Sequence, residues 1–211
     1  MRKYVTEFIG TFFLVLSIGL SVMSGTMLAP IAIGATLMVM VYMGGHVSGA
    51  HYNPAVSLAA LVRGKLLVAD FVPYIVVQIV AAFVSAWVAM MLTGGSFAPA
   101  PGPDASTMSA LGVEILYTFA LVLVVLNVAA TKATASNSFY GLAIGFTIAA
   151  AAIAGGGISG GAYNPAVGLG PNLANMMLHG ADIGHVWLYL VGPVVGGLLA
   201  AFVHKLQNPE D

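Results

Sequence analysis

Cysteine is missing from this chain of 211 residues, and charged side chains are scarce. Without cysteine, disulfides, thiol nucleophiles and zinc–thiolate sites are excluded. Charged residues make up 6% of the chain and hydrophobic residues 60%, whereas soluble domains carry about 25% charged residues. A soluble fold with so few polar residues could not cover its apolar core, so we expect a protein of the lipid bilayer. The formal net charge of −1 gives no reason to expect a nucleic-acid partner.

Long apolar runs are what the chain has in abundance. A membrane-spanning helix needs about 20 mostly apolar residues, and six runs qualify: 4–24, 30–48, 67–92, 109–131, 138–157 and 183–205. Two shorter apolar runs, 53–62 and 164–177, each begin with Asn-Pro. Asparagine is a good N-cap and proline is accepted at the first helical position. The predicted fold is an all-α membrane protein with six transmembrane helices plus two re-entrant half-helices.

The two halves of the chain resemble each other. Glu114 follows Glu7 by 107 residues within a matching Glu-x-x-x-Thr start, and Tyr-Asn-Pro-Ala-Val at 52–56 recurs 111 residues later at 163–167. The segment 93–108 holds three prolines and three glycines, which is typical of a linker. We therefore predict one membrane domain, 1–211, made of repeat 1 (about 1–92), a linker (93–108) and repeat 2 (about 109–205).

The number of spans predicts how the repeats are oriented. Three spans in each repeat make the second repeat enter the membrane from the opposite side, so the repeats are inverted. With the N-terminus inside, all six Lys and Arg residues fall on the cytoplasmic side, as the positive-inside rule requires. Both termini are predicted to be cytoplasmic.

The half-helices predict a pore with a central barrier to cations. Inverted repeats bring the two helix N-termini together near the midplane, and each carries roughly half a positive charge. The amides of Asn53 and Asn164 would donate hydrogen bonds to passing oxygens there. One Asn-Pro could merely cap a buried helix, but two copies at symmetric positions favour a pore. The preceding glycine-rich segments would line it with carbonyl oxygens: those of Gly49, Ala50, His51, Gly160, Gly161 and Ala162.

Two acidic residues, Glu7 and Glu114, lie inside predicted spans. An intramembrane acid is a functional hypothesis by default, and two interpretations are open. The pair could couple protons in a transporter, or it could accept hydrogen bonds from the exposed backbone of the re-entrant loops. The second is favoured because no Lys or Arg lies within the membrane to pair with them. No cluster of metal ligands is present, so neither a metal nor another cofactor is expected, and no nucleophile–base constellation indicates an enzyme.

These motifs resemble the aquaporins, the major intrinsic protein family, over essentially the full chain. The resemblance rests on both Glu-x-x-x-Thr starts, on Gly-His-Val-Ser-Gly-Ala-His-Tyr-Asn-Pro-Ala-Val at 45–56, and on the second Asn-Pro-Ala. It implies a homotetramer with one pore per subunit, passive flow, and glutamates that support the loops, in a membrane that we expect to be a bacterial inner membrane. The pore motifs would be Asn53, Pro54 and Ala55, and Asn164, Pro165 and Ala166.

The chain departs from the family at the predicted selectivity filter. By similarity, the filter positions are Ile33, Ala152, Gly161 and Val167. The family usually has an aromatic residue at the first, often histidine at the second, and arginine at the last. All four are apolar here, which predicts a wider constriction that passes glycerol-like polyols, urea-like amides or metalloid hydroxides such as arsenous acid. Another side chain, for instance from 93–108, could fill the gap, and an apolar ring could also dewet.

A passive channel for water and small uncharged solutes, closed to protons and ions, is the leading functional prediction. An ion- or proton-coupled secondary transporter is the alternative, since inverted repeats with broken helices also occur there. A non-conducting adhesive membrane protein is a third possibility, and it would show no permeability in vesicles.

Overall fold

The computed structural model describes all 211 residues and contains eight α-helices and no β-strand. Two of the helices are short, α3 (Pro54–Val62) and α7 (Pro165–His179). The other six are long and apolar enough to cross a membrane: α1 (Arg2–Met23), α2 (Ala29–Ser48), α4 (Val68–Thr93), α5 (Thr107–Val125), α6 (Tyr140–Ser159) and α8 (Val186–Gln207). The predicted fold class is therefore confirmed.

The largest deviation from the predicted boundaries occurs at the end of α5, and a smaller one at the end of α7. The fourth apolar run was expected to continue as one helix to residue 131, but the α-helix ends at Val125 and continues as a π-helical turn, Leu126–Ala130. Thr131 closes this wider turn because its hydroxyl donates to the carbonyl oxygen of Leu126, 3.0 Å away. Helix α7 reaches His179, beyond the predicted 177, and ends where Gly180 adopts a left-handed φ of 68°.

The helices pack in the same pattern in both repeats. Helix α1 packs on α2 and α4, and α5 packs correspondingly on α6 and α8, while α2 and α6 join the repeats. The α2–α6 crossing is close because Gly34 and Gly145 face each other's backbone; a Cβ added to either would lie 2.5 Å or less from the other's carbonyl oxygen. Each half-helix also contacts the last span of the other repeat, α3 with α8 and α7 with α4. The repeats are therefore interlocked.

Polar and apolar side chains are distributed as expected for a protein in lipid. Glu7, Gln78 and Glu114 are completely buried, whereas large apolar side chains such as Phe146 and Phe202 are more than half exposed. Lipid can cover an exposed apolar surface, but a buried carboxylate needs hydrogen-bond donors inside the protein. The buried polar side chains therefore show where the interior of the protein is more than an apolar core.

Residues 94–106 of the predicted linker contain no helix, yet they are held firmly over one end of the helix bundle. Phe97 is buried next to Gly19, the Gly102 N–H donates to Ile158 O over 3.0 Å, and Asn172 Nδ2 donates to Pro99 O over 3.3 Å. The loop is thus fixed to α1, α6 and α7.

At the opposite end of the bundle, residues 208–211 bind basic groups. Arg63 Nη2 donates to the backbone oxygens of Asn208 and Asp211, over 3.2 and 2.9 Å. The Asp211 carboxylate lies 3.7 Å from Lys65 Nζ and accepts from the Lys132 N–H. Burial disfavours the charged form of Asp211, but the Lys132 N–H and the ammonium group of Lys65 hold the pKa of its carboxyl below the usual range. Three of the six basic residues therefore share one face.

Candidate pore

The two segments before the half-helices have the same unusual backbone. Gly49 and Gly160 end α2 and α6 with a left-handed φ of 85°. Three residues later, Tyr52 and Tyr163 both have a φ of 50°. A tyrosine in this region is uncommon and costs of order 1–3 kcal/mol. The same strained geometry in both repeats means that the surrounding structure holds both segments in place.

Glu7 is the main support of the first segment. Its Oε1 accepts from Ser48 Oγ at 2.7 Å and from the His51 N–H at 3.0 Å. Its Oε2 accepts from the Tyr52 N–H at 2.7 Å and from Gln78 Nε2 at 2.8 Å. The Glu7 carboxylate therefore binds two successive backbone N–H groups of this segment. The left-handed turn would otherwise leave these N–H groups without a partner.

Glu114 occupies the same place in the second repeat. Its Oε1 accepts from Ser159 Oγ at 2.8 Å and from the Ala162 N–H at 3.0 Å, and its Oε2 accepts from the Tyr163 N–H at 2.7 Å. Both glutamates therefore accept hydrogen bonds from the backbone of the segment that precedes a half-helix. The two sites differ in one respect: Pro193, four residues after Tyr189, stands where Gln78 follows Tyr74, so Glu114 has three donors instead of four.

The two asparagines connect the half-helices. Asn53 Oδ1 accepts from the Ala55 N–H at 2.8 Å, and Asn164 Oδ1 accepts from the Ala166 N–H at 2.9 Å, so each side chain caps its own helix. One hydrogen of each amide goes to the opposite segment: Asn53 Nδ2 to Tyr163 O and Asn164 Nδ2 to Tyr52 O. An amide group has two hydrogens, so one on each asparagine is left for a molecule in the cavity beside them.

A cavity of about 300 Å³ runs beside these segments. Among its lining residues are both asparagines and all four predicted filter residues, Ile33, Ala152, Gly161 and Val167. Of the predicted carbonyl positions, Ala50, His51, Gly160, Gly161 and Ala162 line it. No side chain that carries a formal charge is among its lining residues, and no residue of 93–108 is either.

Some predicted residues lie away from the cavity surface. Gly49 does not line it, although it ends α2 with the same left-handed turn by which Gly160 ends α6. The remaining four residues of the Asn-Pro-Ala motifs are buried between the half-helices and their neighbours instead of lining the cavity: Pro54, Ala55, Pro165 and Ala166. Their packing positions the asparagines, which do reach the cavity.

Apart from the filter residues Ile33 and Ala152, the apolar wall of the cavity was not predicted. It consists of side chains from α1, α2, α5 and α6, and the internal repeat was the signal that could have found it. Four pairs of residues in this wall are separated by one of the two repeat offsets, 107 or 111: Leu14 and Leu121, Ile18 and Val125, Ile33 and Ile144, Leu37 and Ile148.

The electrostatics of the cavity come from the backbone. Helices α3 and α7 contact each other at their N-termini, where Asn53 and Asn164 cap them. Each N-terminus presents a partial positive charge to the same point. The site therefore has fixed dipoles and hydrogen-bond donors at its centre but no formal charge, an arrangement suited to neutral molecules with acceptor oxygens.

Comparison with known proteins agrees with this geometry. A family model described as major intrinsic protein matches residues 1–204. The chain is 35% identical to "Glycerol uptake facilitator protein-like 6" of Lactiplantibacillus plantarum, with all of both chains covered. It is 34% identical to "Aquaporin NIP1-1" of Zea mays, with 98% of this chain and 74% of that protein covered.

The fold is also found among solved structures. The aquaglyceroporin from Plasmodium falciparum superimposes with a TM-score of 0.88, covering 99% of this chain and 97% of that one. Sequence identity is 24%, so this match concerns the fold alone.

Proposed function

The chain belongs to the major intrinsic protein family, and on that premise we propose that its cavity is a solute pore wider than a water filter. The protein is a passive channel of the membrane for water and small solutes. We further propose that its solutes include glycerol-like polyols, with urea-like amides and metalloid hydroxides such as arsenous acid in the same size class.

One observation carries this proposal: Val167, 2% exposed, stands at the filter position where the family usually has arginine. A guanidinium there would add bulk, several donors and a fixed positive charge to the constriction. Valine supplies none of these. Because pore selectivity depends on diameter, lining donors and electrostatic barriers, the change widens the pore and makes it more apolar.

The other three filter residues also make the constriction wider and more apolar. Gly161 has no side chain and Ala152 has a methyl group only, so Ile33 is the largest side chain at the constriction. The cavity lining contains no residue of 93–108 that could replace the arginine. The dimensions of the filter are therefore set by four small or apolar residues.

The asymmetric lining favours polyols as the leading solute class. Apolar side chains of α1, α2, α5 and α6 form one wall, and the other carries the two asparagines and the loop backbone. A polyol has carbon atoms along one edge and hydroxyl groups along the other, so it can contact the first wall and hydrogen bond to the second. An ion would lose its hydration shell without finding a charged partner.

The helix N-termini and the asparagine pair at the centre of the pore account for the exclusion of protons and cations. Two helix N-termini raise the potential at the asparagine pair. A water molecule that accepts from both amides has its orientation fixed, which interrupts proton transfer along a water chain.

For the assembly we propose a homotetramer with one pore per subunit, in a bacterial inner membrane and with both termini cytoplasmic. The orientation is supported by the distribution of the six basic residues. Arg63, Lys65 and Lys132 share one face with residues 208–211, and that face would be cytoplasmic.

Stopped-flow light scattering on reconstituted vesicles tests the solute class with water, glycerol, urea and arsenous acid. We expect rapid solute entry in the native protein. In Val167→Arg we expect solute permeability to fall by about tenfold or more, equivalent to about 1.4 kcal/mol of added barrier, while water permeability is largely kept. Water flow without solute flow in the native protein would exclude the wide filter.

Val56→Arg is the matched control, since Val56 occupies the equivalent position of the first repeat and also lines the cavity. Arginine there obstructs the pore outside the filter, so we expect water and solutes to slow together. A Val167→Arg variant that behaves in the same way would show obstruction instead of a restored filter.

A further inference from the structure

One glycine of α6, Gly156, opens onto the cavity without taking part in helix packing. It lines the cavity, and a Cβ added to it would meet no atom within 4 Å. The preceding residue, Gly155, is packed tightly instead: its added Cβ would lie 2.5 Å from Tyr163 Oη and 2.7 Å from Val113 Cγ1. Close contact between helices therefore explains Gly155 but not Gly156.

Gly156 lies one helical turn beyond the filter residue Ala152. Four residues of an α-helix rise about 6 Å along its axis. Gly156 is also next to the filter residue Gly161, because a Cβ on Gly161 would lie 3.3 Å from Gly156 Cα. The lining residues of α6 follow this spacing and become smaller along the helix: Ile144, Ile148, Ala152, Gly156 and Gly160. The region without bulky side chains on α6 therefore continues past the filter by one turn.

The equivalent glycine of the first repeat does not open onto the cavity. Gly45 precedes Gly156 by the repeat offset of 111. It is not among the lining residues, and its added Cβ would lie 3.5 Å from the ring of Tyr140. Val41, which precedes Ala152 by the same offset, is buried and does not line the cavity either. The glycine is thus repeated in the sequence, whereas only the copy beside the filter faces the cavity.

The depth of this open region matters for solutes that are longer than a water molecule. Three bonded carbons with terminal hydroxyl groups are about as long as one turn of an α-helix. An extended polyol therefore reaches the level of Gly156 while part of it is still beside Ala152. A water molecule is shorter than one turn and meets the two levels one after the other. A side chain at position 156 would therefore hinder a polyol more than water.

We propose that Gly156 is a fifth specificity-determining residue of the pore, whose missing side chain extends the wide constriction by one turn and so accommodates polyols of three or more carbons. The inference rests on the proposed function, because it presupposes a filter wider than a water filter. The four filter residues set the width of the constriction, and Gly156 sets the length over which that width is kept.

The first test uses the absence of cysteine from the chain. Gly156→Cys introduces a single thiol, which the small neutral reagent methyl methanethiosulfonate converts to a methyl disulfide. We expect the reagent to slow glycerol entry into vesicles of this variant, and dithiothreitol to restore it. A thiol that stays unmodified by mass spectrometry, or glycerol entry that the modification leaves unchanged, would overturn the proposal.

Gly157→Cys is the matched control for this test. Gly157 is the next residue of the same helix and also has open space at its added Cβ, but it does not line the cavity. We therefore expect the reagent to leave glycerol entry in Gly157→Cys unchanged. Equal inhibition of both variants would show that the effect does not arise in the pore, and would also contradict the proposal.

The second test varies the size of the side chain. The ratio of glycerol to water permeability should fall slightly in Gly156→Ala and by about tenfold in Gly156→Leu, as expected when carbon atoms are added to an apolar site of fixed width. Gly157→Leu should keep the native ratio. Alanine and leucine both favour a helix more than glycine, so thermal unfolding in detergent should show no loss of stability. If the leucine variant is nevertheless less stable, the alanine variant decides, since it adds only a methyl group to open space. An unchanged ratio in the stable variants would refute the role of Gly156.

The outcomes separate this inference from the proposed function. Native vesicles that pass water but no glycerol would contradict the wide filter and, with it, the role of Gly156. If native vesicles pass glycerol and Val167→Arg slows it, while Gly156→Leu does not, the wide filter stands and the role of Gly156 alone is refuted.

Discussion

The side-chain amide of Asn53 donates a hydrogen bond to the carbonyl oxygen of Tyr163, 2.9 Å away and 110 residues later in the chain. The reverse bond runs from Asn164 to Tyr52 over 2.8 Å. Each asparagine therefore uses its carbonyl oxygen within its own repeat and its NH2 group between repeats. This pair of bonds joins the half-helices at the centre of the pore and orients the remaining amide hydrogens.

Replacement of Asn53 by aspartate should make the channel leak protons. Aspartate keeps the oxygen that caps α3 but cannot donate to Tyr163 O, and it adds a negative charge where the helix dipoles now oppose cations. We expect proton flux, measured with a pH-sensitive dye inside vesicles, to rise well above that of the native protein. Asn164→Asp should do the same by symmetry. If proton flux did not rise in either variant, the result would contradict the central barrier.

Glu114→Gln should lower stability without changing how transport responds to a pH gradient. The amide NH2 group of glutamine faces N–H donors that the carboxylate now binds, and one unsatisfied buried donor costs about 1–3 kcal/mol. Thermal unfolding in detergent should show the loss, and Glu7→Gln should show it too, whereas Glu210→Gln on the exposed surface should not. If a pH gradient drove solute uptake by the native protein but not by Glu114→Gln, the result would instead support the coupled transporter.

Gly160→Ala should displace the loop 93–108. A Cβ at this position would lie 2.6 Å from the backbone nitrogen and oxygen of Ala100, and the φ of 85° also disfavours any side chain. We expect a lower unfolding temperature and faster proteolysis within 93–108. Gly112→Ala is the control, since no atom lies within 4 Å of its added Cβ and alanine favours the helix by about 1 kcal/mol. Equal stability of both variants would show that the loop does not depend on this close approach.

The attachment of residues 208–211 should be lost in acid. The Lys132 N–H and Lys65 lower the pKa of Asp211 in the folded protein, against the effect of burial, so its charge stabilises the attachment at pH values above 3.8, the ordinary value. The contribution disappears as pH falls through the lower, folded pKa. NMR titration of the Asp211 carboxyl should therefore give a midpoint below 3.8, and Asp211→Asn should release the segment at neutral pH. A midpoint at or above 3.8 would contradict the contact.

The sequence predicted the helices well because lipid imposes a simple rule on them. A helix that faces lipid must be apolar over its whole length, so six runs were visible without knowledge of their partners. The end of α5 was predicted less well, since its π-helical turn is stabilised by a hydrogen bond from Thr131. The apolar character of a sequence does not reveal such a contact. The end of α7 depends likewise on the left-handed turn at Gly180.

The candidate site was predicted in part. Both asparagines and the four residues predicted to form the filter line the cavity, and their roles in permeation stay predictions. Gly49 does not line the cavity, and a glycine-rich sequence does not reveal which of its carbonyls turn inwards. The apolar wall was missed because a pore-lining leucine and a lipid-facing leucine look alike in sequence.

The sequence by itself determined the membrane location, the six spans, the inverted repeat and the family, because each depends on composition or on spacing along the chain. The tertiary structure alone decided which oxygens and donors meet between segments that are far apart in sequence. It paired each asparagine with the opposite repeat and gave each glutamate its loop amides. These relations depend on distances between helices that are far apart in sequence, and folding alone establishes those distances.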